Sequence, residues 1–239
     1  AEDGIRDDLV TGVQTCALPI LDGEKCPMQR GDLILTPTGL WHEHGHDGQA
    51  PVIWLDVLDL PLVYYLEASY HINGARERKQ SPVSDHAPPM HAGLAATTVF
   101  GRSGKSYPML RYPWAAARAA LVQLGASSAA DAPAQITYVN PETGNDAQNI
   151  LGYYAMMLKP SQKVTLPARS PASVFHLIEG QVVVETDASR FFLEWADTCC
   201  LPGFAAVRLE NPSADTPAFL FLADESPLHR KLGLYEQRA

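Results

Sequence analysis

The sequence predicts an all-β chain: two β-barrels with a few short helices, the first barrel incomplete. Three observations carry this reading. From Leu21 onward, short apolar runs are cut by turn signals such as Asp22-Gly23, Gly31-Asp32 and Asp47-Gly48. The two β-rich halves repeat one another, with Asp32 mapping to Asp197 and Pro37 to Pro202 at an offset of 165 residues. Pro51 and Pro61-Leu62 likewise fall on Pro217 and Pro227-Leu228 at an offset of 166.

Residues 1–20 lack the alternation of a half-buried strand and hold no histidine. Their string resembles translated sequencing-adapter read-through, and they are expected to be a non-native segment standing where the first barrel's front strands belong. Residues 21–72 form the remainder of that barrel. Gly31-Asp32 turns the chain into Leu33-Ile34-Leu35, Thr36-Pro37 caps that run, and a turn at Gly39 leads into Trp41–His46. Pro51–Leu58 reads as a strongly apolar strand, and Pro61 suits the first position of a helix over Leu62–Tyr70. Residues 73–135 are a linker rich in Pro, Gly and Ser, with one helix over 113–124 and Gly125 just past its end. The β pattern returns in residues 136–239, the second barrel, where Ser226-Pro227 opens a terminal helix ending near Gly233.

Composition bounds the function. The chain has 239 residues, 46% of them hydrophobic, enough for one large core or two small ones. A formal charge of −9 argues against binding nucleic acid or an anionic membrane surface. The longest apolar stretch, Pro51 to Leu66, is broken by Asp56, Asp59 and Pro61 and does not suit a bilayer span. No basic-then-apolar secretory start precedes it. Four cysteines, two of them adjacent at Cys199-Cys200, make no disulfide framework and point to a reducing, cytoplasmic setting.

Chemistry concentrates at residues 31–46. On a strand, His42 and His44 point to one face and Trp41 and Glu43 to the other. Two imidazoles on one face suit metal binding or acid–base work in a barrel mouth. Gly31-Asp32, Pro37, Gly39 and His42 resemble the second conserved motif of the cupin barrels, a double-stranded β-helix or jelly-roll fold. The string WHEHGHDGQAPVIWLDVLDLPLV narrows this to the bicupin ring-cleaving dioxygenases of gentisate, salicylate and 1-hydroxy-2-naphthoate. The match continues through Leu110-Arg111-Tyr112-Pro113, Tyr138 to Gly144 and Leu232-Gly233-Leu234-Tyr235.

The resemblance implies an Fe(II) enzyme that cleaves gentisate with O2 to maleylpyruvate. It implies a homo-oligomer as well. His42 would be one of three iron-ligating histidines, His44 a substrate-facing acid–base group, and Asp56 the acid that orients them. Asp56 shares a strand face with Trp54 and Leu58, and a carboxylate there needs a partner. The repeat places Val207 and Leu209 at the positions of His42 and His44, and Pro167 and Arg169 at the family's other ligand pair. The second barrel is therefore expected to be metal-free. Projected back, that pair falls on Glu2 and Gly4, and the family's substrate-anchoring arginine on Val10. One imidazole cannot hold Fe(II), so this chain is expected not to retain iron and to be a fragment of the parent enzyme. The alternative is a metal-free bicupin that binds a small acid or sugar or serves as a scaffold. The remaining histidines, 46, 71, 86, 91 and 229, are assigned no chemistry, and His176 is read as packed and hydrogen-bonded. Trp41, Trp54 and Trp195 are read as core.

Overall fold

A computed structural model describes residues 8–9, 17–21, 24–36, 42–46, 52–69, 90–91, 94–95 and 109–238. They fall into two compact units, one within 1–114 and 140–144, the other within 115–139 and 145–239.

The first unit runs β1 (Asp8–Leu9), β2 (Ala17–Leu21), β3 (Glu24–Lys25), β4 (Leu33–Ile34), β5 (His42–His46) and β6 (Leu55–Asp56). It continues with α1 (Leu60–Tyr65), β7 (Met90–His91), β8 (Leu94–Ala95) and β9 (Arg111–Tyr112). β2 lies between β3 and β5, while β1 pairs with β6, β4 with β9 and β7 with β8. β2 thus reaches four residues into the segment that the sequence reading set apart, and pairs there with the histidine strand. Cys26, Met28 and Ile34 form a small buried cluster, with Val52 and Leu110 packed against it.

The second unit opens through α2 (Trp114–Ser127) into β10 (Ala134–Thr137), β11 (Gly152–Leu158), β12 (Lys163–Leu166), β13 (Ala168–Arg169) and β14 (Ser173–Glu179). β15 (Val182–Glu185), β16 (Arg190–Leu193), β17 (Thr198–Leu201), β18 (Val207–Glu210), β19 (Ala218–Asp224), α3 (Ser226–Lys231) and β20 (Gln237–Arg238) follow. A five-stranded sheet, β10-β11-β19-β14-β17, faces a four-stranded one, β12-β18-β15-β16. Every residue of β11 and of β19 is buried, so these strands read as continuous apolar runs, GYYAMML and AFLFLAD. β17 and β18 alternate instead, with Cys199, Leu201, Val207 and Leu209 inward. Phe175, Leu177, Val182 and Leu220 fill the core between the sheets.

α2 runs past Gly125 to Ser127, although that glycine reads as a stop. A Cβ there would lie 2.1 Å from Met157 Cε, so the glycine lets the helix lie close against β11. Arg118 of α2 reaches Glu179 at 3.0 Å and stacks over Phe219, which ties the helix to the same barrel. The C-terminal strand β20 pairs with β13, and Ser170 N–H donates to the Glu236 carbonyl. Arg238 lies over the Phe204 ring, 4.1 Å from its centroid, and pins the tail down.

The duplication is visible in the elements. α1 and α3 are six residues each and offset by 166 at both ends. The turn before β4 recurs before β17 with the same bonds. Gln29 N–H donates to Asp32 Oδ2 and Asp32 N–H to the Gln29 carbonyl, as Glu194 N–H and Asp197 N–H do with Asp197 Oδ2 and the Glu194 carbonyl. α1 begins and ends earlier than the 62–70 expected from sequence, and of the described residues 52–58 in the expected strand Pro51–Leu58 only Leu55–Asp56 is strand. Ile53 and Trp54 sit at the surface, so tertiary context overrides the apolar reading of that run.

Candidate functional site

β5 carries the two histidines that the sequence singles out. The β2–β5 register sets His42 opposite Leu21 and His44 opposite Pro19, so strand alternation keeps both on one face. His42 is described by its backbone alone. The His44 ring is exposed and stacks on Trp54, with centroids 5.0 Å apart and planes 21° from parallel. Trp54 is therefore a surface aromatic that fixes an imidazole, and not a core residue as its apolar surroundings in sequence suggest. Trp195 too is at the surface. Trp41 lies outside the described residues.

Asp56 sits on β6, paired with β1 so that it stands opposite Asp8. The side chain is half-buried and its Oδ1 is out of contact with solvent. Asp59, which sequence reasoning passed over, flanks the start of α1 without capping it. Its Oδ1 is shielded and lacks a hydrogen-bond partner among the described residues, and burial pushes its carboxyl above the ordinary aspartate range. The signal for it was an acid just before Pro61, where an N-cap is the default expectation.

Among the described residues, no three His, Cys, Asp or Glu side chains converge as a metal site would require. Glu2, Gly4 and Val10, the positions to which the repeat assigns the missing ligands and anchor, lie outside them. What β5 and the segment before β6 do offer is an exposed imidazole held in one orientation, able to donate a hydrogen bond or exchange a proton.

The corresponding face of the second barrel carries no such chemistry. Val207 and Leu209, at the register of His42 and His44, are buried in its core. Leu166, Pro167, Phe175 and Leu201 line the same recess, and its cation, Arg169, lies 2.9 Å from Asp224 Oδ2. Asp224 also accepts at Oδ1 from Tyr154 O–H and Ser226 N–H, while its shielded Oδ2 faces Arg169 as an ion pair alone, so this pair is a structural lock. His176 is buried and bonded through Nδ1 to Thr198 Oγ1 at 2.8 Å. His229 likewise bonds Ser170.

The Gly31-Asp32 dipeptide proves to be more than a turn. Asp32 is buried and accepts from Arg111 Nε at 2.7 Å and from Trp114 N–H at 2.8 Å, so it ties β4 to β9 and the start of α2. Burial pushes its carboxyl above the ordinary value, against the pull of Trp114 N–H, Arg111 and Gln29 N–H.

A family profile described as "Cupin domain" matches residues 16–58, which hold β2 through β6. The chain is 63% identical over 222 residues to gentisate 1,2-dioxygenase of Ralstonia sp, covering 93% of this chain and 62% of that protein. The chain is similar to the gentisate 1,2-dioxygenases along nearly its whole length. A second relative, 5-aminosalicylate 1,2-dioxygenase of Comamonas sp, is 29% identical over 222 residues, covering 92% of this chain and 59% of that protein. The chain thus spans about three-fifths of the length of these relatives. Salicylate 1,2-dioxygenase of Pseudaminobacter salicylatoxidans shares the fold, with a TM-score of 0.82 at 23% identity across 98% of this chain and 70% of that one. Among the described residues, no helix is long and apolar enough to cross a membrane.

Proposed function

We propose that the protein containing this chain is an Fe(II)-dependent ring-cleaving dioxygenase that opens gentisate, or a related hydroxybenzoate, with O2. The match to the Ralstonia gentisate 1,2-dioxygenase along nearly the whole chain carries this reading. His42 is assigned as one of the iron's histidine ligands; the metal, when bound, supplies the site at which substrate and O2 meet. His44 hydrogen-bonds or protonates substrate oxygens from its perch on Trp54. Asp56 holds these groups in orientation through its shielded carboxylate. The second barrel takes no direct part. The expectation that this chain alone does not retain iron, and that the protein works as a homo-oligomer in the cytoplasm, belongs to the same proposal.

The test is a chimera in which the Ralstonia relative's N-terminal portion replaces residues 1–20. Loaded with Fe(II), it should consume O2 with gentisate and release maleylpyruvate, with salicylate and 1-hydroxy-2-naphthoate as comparison substrates. The 239-residue chain under the same conditions should consume little or none. An iron-loaded chimera inert towards all three substrates refutes the assignment and leaves the metal-free binder, which calorimetry with gentisate would then examine.

A further inference from the structure

α1 and α3 are the same helix in the two halves, down to their closing hydrogen bonds. Leu66, Glu67 and Ala68 N–H donate to the carbonyls of Leu62, Tyr64 and Val63, as Leu232, Gly233 and Leu234 N–H do to those of Leu228, Arg230 and His229. Glu67 and Gly233 both turn left-handed there, at φ +55° and +70°. The exposed faces differ. α3 ends in Arg230 and Lys231, and the segment 146–150 lies on it. Arg230 reaches Asp146 Oδ2 at 2.7 Å, Lys231 Nζ donates to Asn149 Oδ1, and Leu228 N–H donates to the Ile150 carbonyl at 3.3 Å. α1 puts Tyr64 and Tyr65 in the places of Arg230 and Lys231. They are 64% and 85% exposed, Leu66 beside them is exposed as well, and no residue of α1 is buried. Leu62 N–H bonds back to the Asp59 carbonyl, where Leu228 uses Ile150.

We propose that α1 is a docking face for the first barrel's counterpart of residues 146–150, a turn segment that presents apolar side chains where Asp146 and Asn149 present polar ones. The 166-residue offset between α1 and α3 puts that counterpart upstream of Ala1. A protein of the Ralstonia relative's length, of which this chain spans 62%, has chain to supply it. Two tyrosines and a leucine in a row at the surface of one short helix make an apolar patch of the kind that marks an interaction site. The polar groups of 146–149 meet cations on α3. On α1 the counterpart meets two aromatic rings, packs apolar groups on them and leaves their hydroxyls at the rim. A second copy of the chain is the poorer occupant, because Tyr64, Tyr65 and Leu66 together expose well under the ~800 Å² per partner that a stable dimer uses. The docking follows from the duplication and is independent of the iron chemistry.

The test compares the 239-residue chain with the chimera that carries the Ralstonia relative's N-terminal portion in place of residues 1–20, with circular dichroism as the folding control. Tyrosines are acetylated with N-acetylimidazole and located by peptide mapping, with half-buried Tyr235 as the internal reference. Tyr65 should react readily in the 239-residue chain and lose most of that reactivity in the chimera, at any protein concentration. The same N-terminal portion co-expressed as a separate chain should protect it too. Tyr64→Arg with Tyr65→Lys gives α1 the exposed residues of α3. That swap should leave the melting temperature of the 239-residue chain unchanged and lower that of the chimera. A chimera inert towards gentisate in which Tyr65 is protected upholds the docking, and an active one in which Tyr65 reacts as in the shorter chain overturns it. Protection that fades on dilution, which marks a second copy, or a helix swap without effect on the chimera overturns it as well.

Discussion

Gly31 and Ala196 occupy the same left-handed turn in the two halves of the chain, at φ +82° and +68°. Each precedes the aspartate that closes the turn, so one backbone requirement has survived duplication while the residue meeting it has not. An alanine pays about 1–2 kcal/mol of steric strain in that region. Ala196→Gly should therefore raise the unfolding free energy by about 0.5 kcal/mol, after the extra chain entropy of glycine is subtracted. Gly31→Ala should lower it by about 2 kcal/mol or more, because the added methyl also lands 2.6 Å from Trp114 Cγ. Urea unfolding reads both, and a loss of stability in Ala196→Gly would contradict the account.

The Arg169–Asp224 pair invites a double-mutant cycle. Asp224 is buried, so Arg169→Met leaves an uncompensated carboxylate and should cost about 3–5 kcal/mol. Adding Asp224→Asn removes that charge while Tyr154 O–H and Ser226 N–H still find an acceptor, and should recover most of the loss. Additive costs in the cycle would mean that the two groups do not interact.

Alkaline pH should destabilise the second barrel. Burial pushes the Cys199 thiol up to about 11, and burial followed by the Asp224 charge pushes the Tyr154 phenol up to about 12. Both groups hold their proton more tightly folded than unfolded. Their stabilising effect is complete below the ordinary values of 9.0 and 10.0 and is lost as pH rises through 11 and 12. Thermal melts should fall across that window and shift to higher pH in Cys199→Ala. At pH 8 iodoacetamide should modify exposed Cys200 and spare Cys199, which peptide mapping would show.

In the iron-loaded chimera the two histidines of β5 should separate cleanly. His42→Ala should abolish iron retention, measured by metal analysis. His44→Ala should retain iron and lower kcat by about 10²–10⁴, the range expected when a proton-transfer group is lost. Val207→His should alter neither, since one imidazole in that recess makes no ligand set. Iron still bound after His42→Ala would show that the ligand lies elsewhere.

Much of this was legible in the chain because it rests on local chemistry. Ser226-Pro227 announces α3 through proline's fixed φ at a helix start, and the 165–166 offset reproduces turn, strand and helix in both halves. Gly125 misled because a stop signal and a close-packing glycine look alike until Met157 is seen beside it. Trp54 misled because a tryptophan between Ile53 and Leu55 resembles core, and nothing local says that His44 will meet it. The Asp32–Arg111 tie spans 79 residues, and no spacing rule reaches that far. The edge position of β16 is a property of the sheet and not of its own residues.

The docking of β20 on β13 has a practical corollary. The last residues of the chain are masonry, not trailing cord: Gln237 and Arg238 are laid against Ala168 and Arg169, the latter being the cation that neutralises Asp224. An affinity handle fused directly after Ala239 would tug on that wall, and a carboxypeptidase trimming the chain from its end would loosen the barrel before reaching any helix.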